Sequence, residues 1–350
     1  PKTEKGAPSF TKLFLQEHKH PLAQLVLEAR NLNKTSGTFI NTIMKHCRQD
    51  GRIHSHINQI RSDDGGTVSG RISMSNPNLQ QIPARDPVIG PMIRSLFLPE
   101  EGEQWAAIDF SQQEPRILVH YAHVYGKMRG IELDACQEFV DGYNNNPDMD
   151  FHTMVAEMAN ISRKQAKTIN LGMMYGMGVN KLSEQMDIEV SEAKQLVKQY
   201  HSRVPFVKGL MQGVTNRLND KSSAGSIRSI LGRKCRFDLW EPDTFAMNKA
   251  LPYRDAIKEY GETTRLKRAY TYKALNRLIQ ASAADMTKKA MVDIYKSGRL
   301  PMIQVHDELA MSVKNREEAE EIAKIMVGAV PLEVPSKCDV EIGDSWGEAK

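Results

Sequence analysis

The chain has 350 residues, 40% hydrophobic and 26% charged, with a formal net charge of +4. That is a globular composition with length for one large or two to three ordinary domains, which excludes disordered and fibrous classes. No run approaches the roughly 18 apolar residues of a membrane span, and the small positive charge permits a polyanionic partner without demanding one. Cys47, Cys136, Cys235 and Cys338 stand far apart and form no C-x-x-C pair. This argues against zinc and for a reducing compartment. No signal peptide is visible, and Pro1 in place of Met suggests a fragment or a processed chain.

In chain order, residues 21–47 place Leu22, Leu25, Val26, Ala29 and Leu32 at helical spacing, predicting one or two helices. A Gly-, Ser- and Asp-rich loop at 62–70 precedes GRISMSNPNLQQIP (70–83), an extended segment punctuated by Asn76-Pro77. QWAAIDF (104–110) predicts a buried strand ending on an acid. EPRILVHYAHVYG (114–126) predicts a helix, with Pro115 tolerable near its first turn. Residues 142–150 predict a loop, and 162–178 a helix with Ser162 as N-cap and glycines at its end. Helical period continues up to Pro205, and 225–237 predicts a hairpin or a loop with strands. Residues 263–296, basic and then apolar and small, again predict helix. MIQVH and LAMSV form two short apolar runs around a tight turn at Asp307-Glu308, followed by a charged helix (316–327) and an extended end. The mixture predicts an α+β fold.

Three patterns carry chemistry. Asp109 and Asp307 both end apolar strands, where a carboxylate is costly unless paired or bound to a metal. Converging, they would make a hard-oxygen site for magnesium, and two such ions clamp the attacking and leaving oxygens of phosphoryl transfer. Taken singly, each acid fits equally the cap of a turn or the partner of an arginine. Arg163, Lys167, Leu171 and Tyr175 recur every four residues and share one helix face. Cations suit phosphates and a tyrosine suits a base, although a solvated basic face gives the same pattern. TTRLKRAYTYKALNR (263–277) holds five basic residues, two tyrosines and no acid. It reads as a surface tracking a nucleic-acid backbone or as a solvated charged helix. His-Asp-Glu-Leu at 306–309 is internal, so it is no retention signal.

Taken in order, these pieces resemble the polymerase region of family A DNA polymerases, the class of bacterial DNA polymerase I and related phage replicative enzymes. SGRISMSNPNLQQIP resembles the family's TGRLSSSNPNLQNIP, and AIDFSQQEPR its motif A. RKQAKTINLGMMYG resembles its fingers helix and QVHDEL its motif C. The resemblance covers essentially the whole chain. It implies a right-hand fold with an antiparallel palm sheet, helical fingers and a partial thumb. Residues 1–60 would be thumb, 61–125 the first palm segment, 126–265 fingers and 266–350 the second palm segment.

The activity implied is template-directed DNA synthesis from dNTPs on primer–template DNA, with two Mg2+ ions. Asp109, Asp307 and the Phe110 carbonyl would hold the metals, with Glu308 beside them. Arg163 and Lys167 would grip the triphosphate, Lys167 also protonating or neutralising the leaving pyrophosphate, and His152 would contact phosphate. Tyr175 would pack at the nascent base pair, with Leu171 and Gln112 also at the nucleotide and Glu114 under its sugar. Arg71, Gln280 and His306 would meet the minor groove at the primer end, where donors test pair geometry more than sequence. Asn276 would lie near the template and Arg116 at the DNA.

Some positions depart from the family pattern. Leu171 replaces the usual aromatic, which bears on dideoxynucleotide discrimination. Gln113 replaces an apolar residue, Pro115 a Leu, and Tyr272 an Arg near the primer. The resemblance also implies that the first thumb helices and any exonuclease domain lie outside this chain. A separate N-terminal polypeptide or a processivity factor then becomes an expected partner, with no membrane. The expected setting is the cytoplasm of a bacterial cell or phage-infected host, with an organelle as the other. Two other readings compete. A single-subunit RNA polymerase shares the palm but generally lacks an acid like Glu114 and carries His-Asp-Ser in motif C. A truncated half could serve only as a DNA-binding or assembly module.

Overall fold

Alternation along QWAAIDF and LAMSV decides the architecture, because each strand carries apolar residues on both faces and must be covered twice. The computed structural model describes residues 6–62, 65–84, 86–129, 134–219, 224–244, 246 and 248–349. Residues 63 and 64 of the predicted loop at 62–70 therefore lie outside the described residues.

The N-terminal helices are α1 (Lys12–Glu17), α2 (Pro21–Lys34) and α3 (Asn41–His46), the last two joined by a π-helical stretch, Thr35–Ile40. β1 (His56–Asn58) pairs with β2 (Ser73–Ser75), and α4 (Ile89–Arg94) leads into β3 (Gln104–Phe110). A helical body follows: α5 (Gln113–Arg129), α6 (Asp134–Asn145), α7 (Phe151–Ala159), α8 (Arg163–Met174), α9 (Val179–Met186), α10 (Val190–Arg203) and α11 (Pro205–Asn219). β4 (Ser226–Arg228) and β5 (Lys234–Arg236) make the expected hairpin. Next come β6 (Leu239–Pro242), β7 (Leu251–Pro252), α12 (Tyr253–Tyr260) and β8 (Leu266–Arg268). α13 (Ala274–Lys296), β9 (Ile303–Val305), β10 (Glu308–Val313), α14 (Arg316–Gly328) and β11 (Cys338–Gly343) complete the fold.

The main sheet is antiparallel, in the order β11-β3-β10-β9, and the α+β expectation holds. On one face Ala106, Ile108, Phe110, Leu309 and Met311 join the large core shared with α5, α13 and α14. On the other, Trp105, Ala107 and Ala310 join a second core with Ile93 and Trp346. Trp105 and Trp346 stack at 6.1 Å. Asp109 shares the register parity of the second face, at the end of the strand.

Three expectations change. The predicted helix over 263–296 begins only at Ala274, and Leu266–Arg268 is instead strand β8, paired with β6. Trp240 explains this: the Arg268 guanidinium lies 4.5 Å from its ring and also bonds the Phe237 carbonyl. The predicted loop at 142–150 starts later, because α6 runs to Asn145. The helix at 21–34 forms, but Leu22, Leu25 and Leu32 stay exposed. Among the described residues, no helix is long and apolar enough to cross a membrane.

Candidate active site

β9 and β10 are joined by two residues, His306 and Asp307, since Glu308 already pairs with Val305. His306 has φ +57°, the left-handed backbone that a two-residue hairpin turn needs at its first position. The buried Gln304 braces this turn by donating to the His306 carbonyl. Gln80, from the Asn-Pro segment, donates in turn to Gln304 Oε1 at 3.0 Å and to the Ile72 carbonyl at 3.2 Å. The sequence motif at 69–83 thus supports the turn that presents Asp307.

On the other side of β10, Asp109 sits in register with Glu308 and, across β3, with Asp339. The Asp109 and Asp307 carboxyls are hydrogen-bonded to each other. Burial first, then the negative neighbours Asp307, Glu308 and Asp339, push the Asp109 carboxyl up to about 8. Burial raises Asp307 as well. Such a pair holds a proton between its members because neighbouring like charges resist joint ionisation. Asp109 Oδ1 is buried without a hydrogen-bond partner. A buried, orphaned carboxylate oxygen next to a second carboxyl is a donor set that fits magnesium. Among the described residues no cluster of three or more His, Cys, Asp or Glu completes a shell. Backbone carbonyl, water and phosphate oxygens would have to supply the rest, as magnesium commonly accepts.

Glu308 is anchored from the second core. Its Oε1 accepts from Trp346 Nε1 at 2.9 Å, and Arg94 lies 4.0 Å from Oε2 and 4.2 Å over the Trp346 ring. Sequence reasoning did not find Trp346, Arg94 or Asp339. Their only signal was a tryptophan near the C-terminal end and an acid in an extended strand.

α8 starts with the expected cap, a reciprocal bond between Ser162 and Gln165. Arg163 grips Asp150 bidentately, Nε–Oδ1 3.1 Å and Nη2–Oδ2 2.8 Å. Partial burial opposes ionisation of Asp150, but Arg163 and Thr153 overcome it and hold the carboxyl down at about 2. Lys167 is exposed on the same helix, and Leu171 is half-buried.

Beyond the helix end, four expected residues from separate segments meet. Arg71 Nη2 donates to Glu114 Oε1 at 2.5 Å, and Tyr175 donates to Glu114 Oε2 at 3.1 Å. Burial and Glu114 push the Tyr175 hydroxyl up to about 12, and nearby Gln280 opposes that shift. Gly176 follows with φ +68°, and an added Cβ would stand 2.7 Å from the Tyr272 carbonyl. Asn276 lies half-buried on α13, one turn before Gln280, and His306 is exposed.

Three expected residues are placed elsewhere. Arg116 is 1% exposed. It donates to the carbonyls of Ser111 (2.9 Å), Pro335 (2.6 Å) and Pro147 (2.6 Å) and lies 4.4 Å over the Tyr143 ring. It is an interior brace, out of reach of DNA. Gln112 uses both ends of its amide inside the protein, donating to the Met149 carbonyl at 2.9 Å and accepting from the Phe151 N–H at 2.9 Å. It joins α5 to the start of α7 and is not free for a nucleotide. His152 is buried with Nδ1 bonded to Asn170 at 2.9 Å. Burial, aided by Lys167 and Arg163, lowers its pKa, so it is a neutral packing residue and not a phosphate contact. Arg233, not expected at all, ties Asp285 (2.8 Å) to the Ser69 and Ala281 carbonyls and so pins the loop before Arg71 onto α13.

The acid pair makes a stability prediction. A carboxyl raised from 3.8 to about 8 in the folded protein contributes stability that is complete below its unfolded pKa and lost as pH rises through 8. Asp109→Asn is therefore expected to stabilise the chain at pH 8.5 in chelator by about 1–3 kcal/mol, with little gain at pH 4. Thermal melts at both pH values measure this. A variant less stable than wild type at pH 8.5 contradicts it.

The family model described as DNA polymerase family A matches residues 1–348. The DNA-directed DNA polymerase of Pseudomonas phage M6 is 38% identical over 99% of this chain and 54% of its own length. The thermostable DNA polymerase I of Thermus aquaticus is 32% identical over 100% of this chain and 39% of its own. The POL domain of Pol1 from M. smegmatis, solved with DNA primer-template and dNTP, superimposes with a TM-score of 0.76 at 28% identity. That match covers 99% of this chain and 58% of the other. The chain thus spans about half the length of the phage relative.

Proposed function

The chain belongs to DNA polymerase family A, and from that premise we propose that it is the catalytic part of a template-directed, DNA-dependent DNA polymerase. It transfers a deoxynucleotidyl group from a dNTP to a primer 3′-hydroxyl and releases pyrophosphate. The observation that carries this reading is the Asp109–Asp307 carboxyl pair, presented by the end of β3 and the β9–β10 turn, with one buried Asp109 oxygen left unpartnered. Asp109, Asp307 and the Phe110 carbonyl would hold two magnesium ions, which when bound acidify the 3′-hydroxyl and neutralise phosphate charge.

The chain's own residues do the rest. Arg163 exchanges Asp150 for the triphosphate, so the bidentate geometry already seen with a carboxylate passes to phosphate oxygens. Lys167, one turn further on the same face, neutralises or protonates the departing pyrophosphate. Tyr175 and Leu171 border the nascent pair, and Glu308 supports the acid pair from its anchor on Trp346. Arg71, Gln280 and His306 face the primer-end minor groove and Asn276 the template. Closure of residues 126–265 as fingers over a palm formed by 61–125 and 266–350, with 1–60 as partial thumb, selects correct pairs by induced fit. Primer–template DNA, dNTPs and a separate N-terminal part or processivity factor are the partners, in a bacterial or phage-infected cytoplasm.

Glu114 discriminates this reading from RNA synthesis. Its carboxylate is held by Arg71 and Tyr175, and the family resemblance would set it against a ribose 2′-hydroxyl of the incoming nucleotide. The test is primer extension with magnesium and either dNTPs or rNTPs. Wild type should prefer dNTPs, and Glu114→Ala should erode that preference by roughly 100-fold or more. Equal use of both sugars by wild type sinks the assignment. No extension even after a complementary N-terminal fragment is added favours a DNA-binding module.

A further inference from the structure

Glu308 stands beside the acid pair without joining it, and the cause lies in the second core. Glu308 and Asp109 are register partners on β10 and β3, so their Cβ atoms share one face, about 4.5–5.5 Å apart. Glutamate is one methylene longer than aspartate, and turned toward Asp109 it would reach an ion held there. It is turned the other way. Oε1 accepts from Trp346 Nε1 at 2.9 Å, and Oε2 lies 4.0 Å from the Arg94 guanidinium. Both Glu308 oxygens are thus engaged from the second core, while Asp109 Oδ1 has no hydrogen-bond partner.

The tether is rigid. Trp346 is fully buried and donates its backbone N–H to the Phe97 carbonyl at 3.0 Å. The Phe97 ring, at 5.4 Å, and the Trp105 ring, at 6.1 Å, box its indole. Gly347 then runs against α4, where an added Cβ would stand 2.6 Å from the Pro91 carbonyl. Arg94, on α4, is buried, donates from Nε to the Pro83 carbonyl at 3.2 Å and covers the Trp346 ring. Freeing Glu308 would strand a buried indole N–H and a buried cation, and both are costly. Packing alone does not demand the indole bond, because the stacked neighbour Trp105 keeps its Nε1 without a partner.

We propose that Trp346 and Arg94 are positioning residues which, through Glu308, keep a third carboxylate out of the metal shell and so set the site's choice of magnesium over calcium. Magnesium keeps several waters in a near-octahedral shell and takes one or two carboxylates, which Asp109 and Asp307 supply. Calcium accepts about six to eight oxygens and readily takes a carboxylate through both of them. A loose Glu308 would offer that. The inference rests on the polymerase reading for the presence of a metal, and the experiment separates the two.

Equilibrium dialysis of calcium against the chain alone, with magnesium as competitor, reads the ratio of the two affinities. Trp346→Phe keeps an aromatic ring in the core and removes the donor. It should raise calcium affinity relative to magnesium by roughly tenfold, the usual scale for groups that orient the carboxylates of a metal site. In a Glu308→Gln background the same substitution should leave the ratio unchanged, because the residue it acts through is gone. Glu308→Gln alone disturbs no buried aromatic and decides the matter even if Trp346→Phe does not fold. It should weaken both ions together, and a loss confined to calcium shows Glu308 to be a ligand already and overturns the proposal. An unchanged ratio in folded Trp346→Phe, or a shift that survives in the Glu308→Gln background, overturns it as well. So does calcium binding that Asp307→Asn leaves untouched, since the ion then lies elsewhere. A wild type that binds both ions at the acid pair yet extends no primer counts against the polymerase reading alone.

Discussion

Primer extension by the Asp307→Asn protein is expected to fall by roughly 1,000-fold or more, about 4 kcal/mol of transition-state stabilisation. The argument starts from charge. Asp307 sits in a two-residue turn and is hydrogen-bonded to Asp109, both partly or wholly withdrawn from water. Burial and the neighbouring carboxylates favour the protonated form of this pair, so an ion bound there would displace that proton. Asn preserves the side chain's shape and one hydrogen bond but removes the charge. DNA affinity should stay within a few-fold of wild type, because the loss lies in the chemical step and not in holding the strand. The magnesium concentration giving half-maximal rate should rise. The measurement is single-turnover extension on a preformed primer–template complex over a magnesium titration. An Asp307→Asn rate within tenfold of wild type, at any magnesium level, would remove the acid pair from the mechanism.

What could be read from the sequence follows from what a motif encodes. Asp109, Asp307, Arg163, Lys167 and Tyr175 were legible because their spacing fixes a face or a strand end, and Glu114 only through the family resemblance. The structure brings the two acids together, and it also joins Glu114 to Tyr175, a contact the spacing did not announce. Register across strands also made Glu308 a neighbour of Asp109. Direction was not legible. Arg116 and Gln112 lie within a few residues of Asp109, yet α5 turns the one inward and the loop turns the other onto α7. His152 follows the same rule: next to Asp150, it is carried into the core by a helix turn. Partners distant in sequence were equally silent, since nothing local links Arg233 to Asp285 or Trp346 to Glu308. The 263–277 stretch misled for another reason. Its basic residues look solvated in a helix, but Trp240, from a different strand, recruits Arg268 and converts the segment to β structure. Composition counted the charges correctly and could not say which were already used.

Arg116→Ala is expected to destabilise the chain by about 3–4 kcal/mol while leaving the affinity of the folded fraction for DNA unchanged. One guanidinium here joins three segments far apart in sequence: the turn after β3 at Ser111, the loop before α7 at Pro147, and the approach to β11 at Pro335. Its plane covers the buried Tyr143 ring. Alanine removes three donors from main-chain carbonyls and leaves a void beside that ring, and both effects are costly. Lysine does not restore the site, because one ammonium on a flexible stem cannot span three acceptors set by a planar fork and cannot stack on the tyrosine. Arg116→Lys should therefore recover less than half of the loss. The brace lies directly behind Asp109 and Phe110, so partial unfolding near it should loosen the acid pair before the helical body melts. Urea unfolding of wild type, Arg116→Ala and Arg116→Lys measures the ladder, and DNA binding at low temperature separates stability from contact. An Arg116→Ala protein that keeps its unfolding midpoint but loses DNA affinity would return this residue to the DNA surface. One that loses stability alone identifies it as the joint holding β3 to the segments on either side.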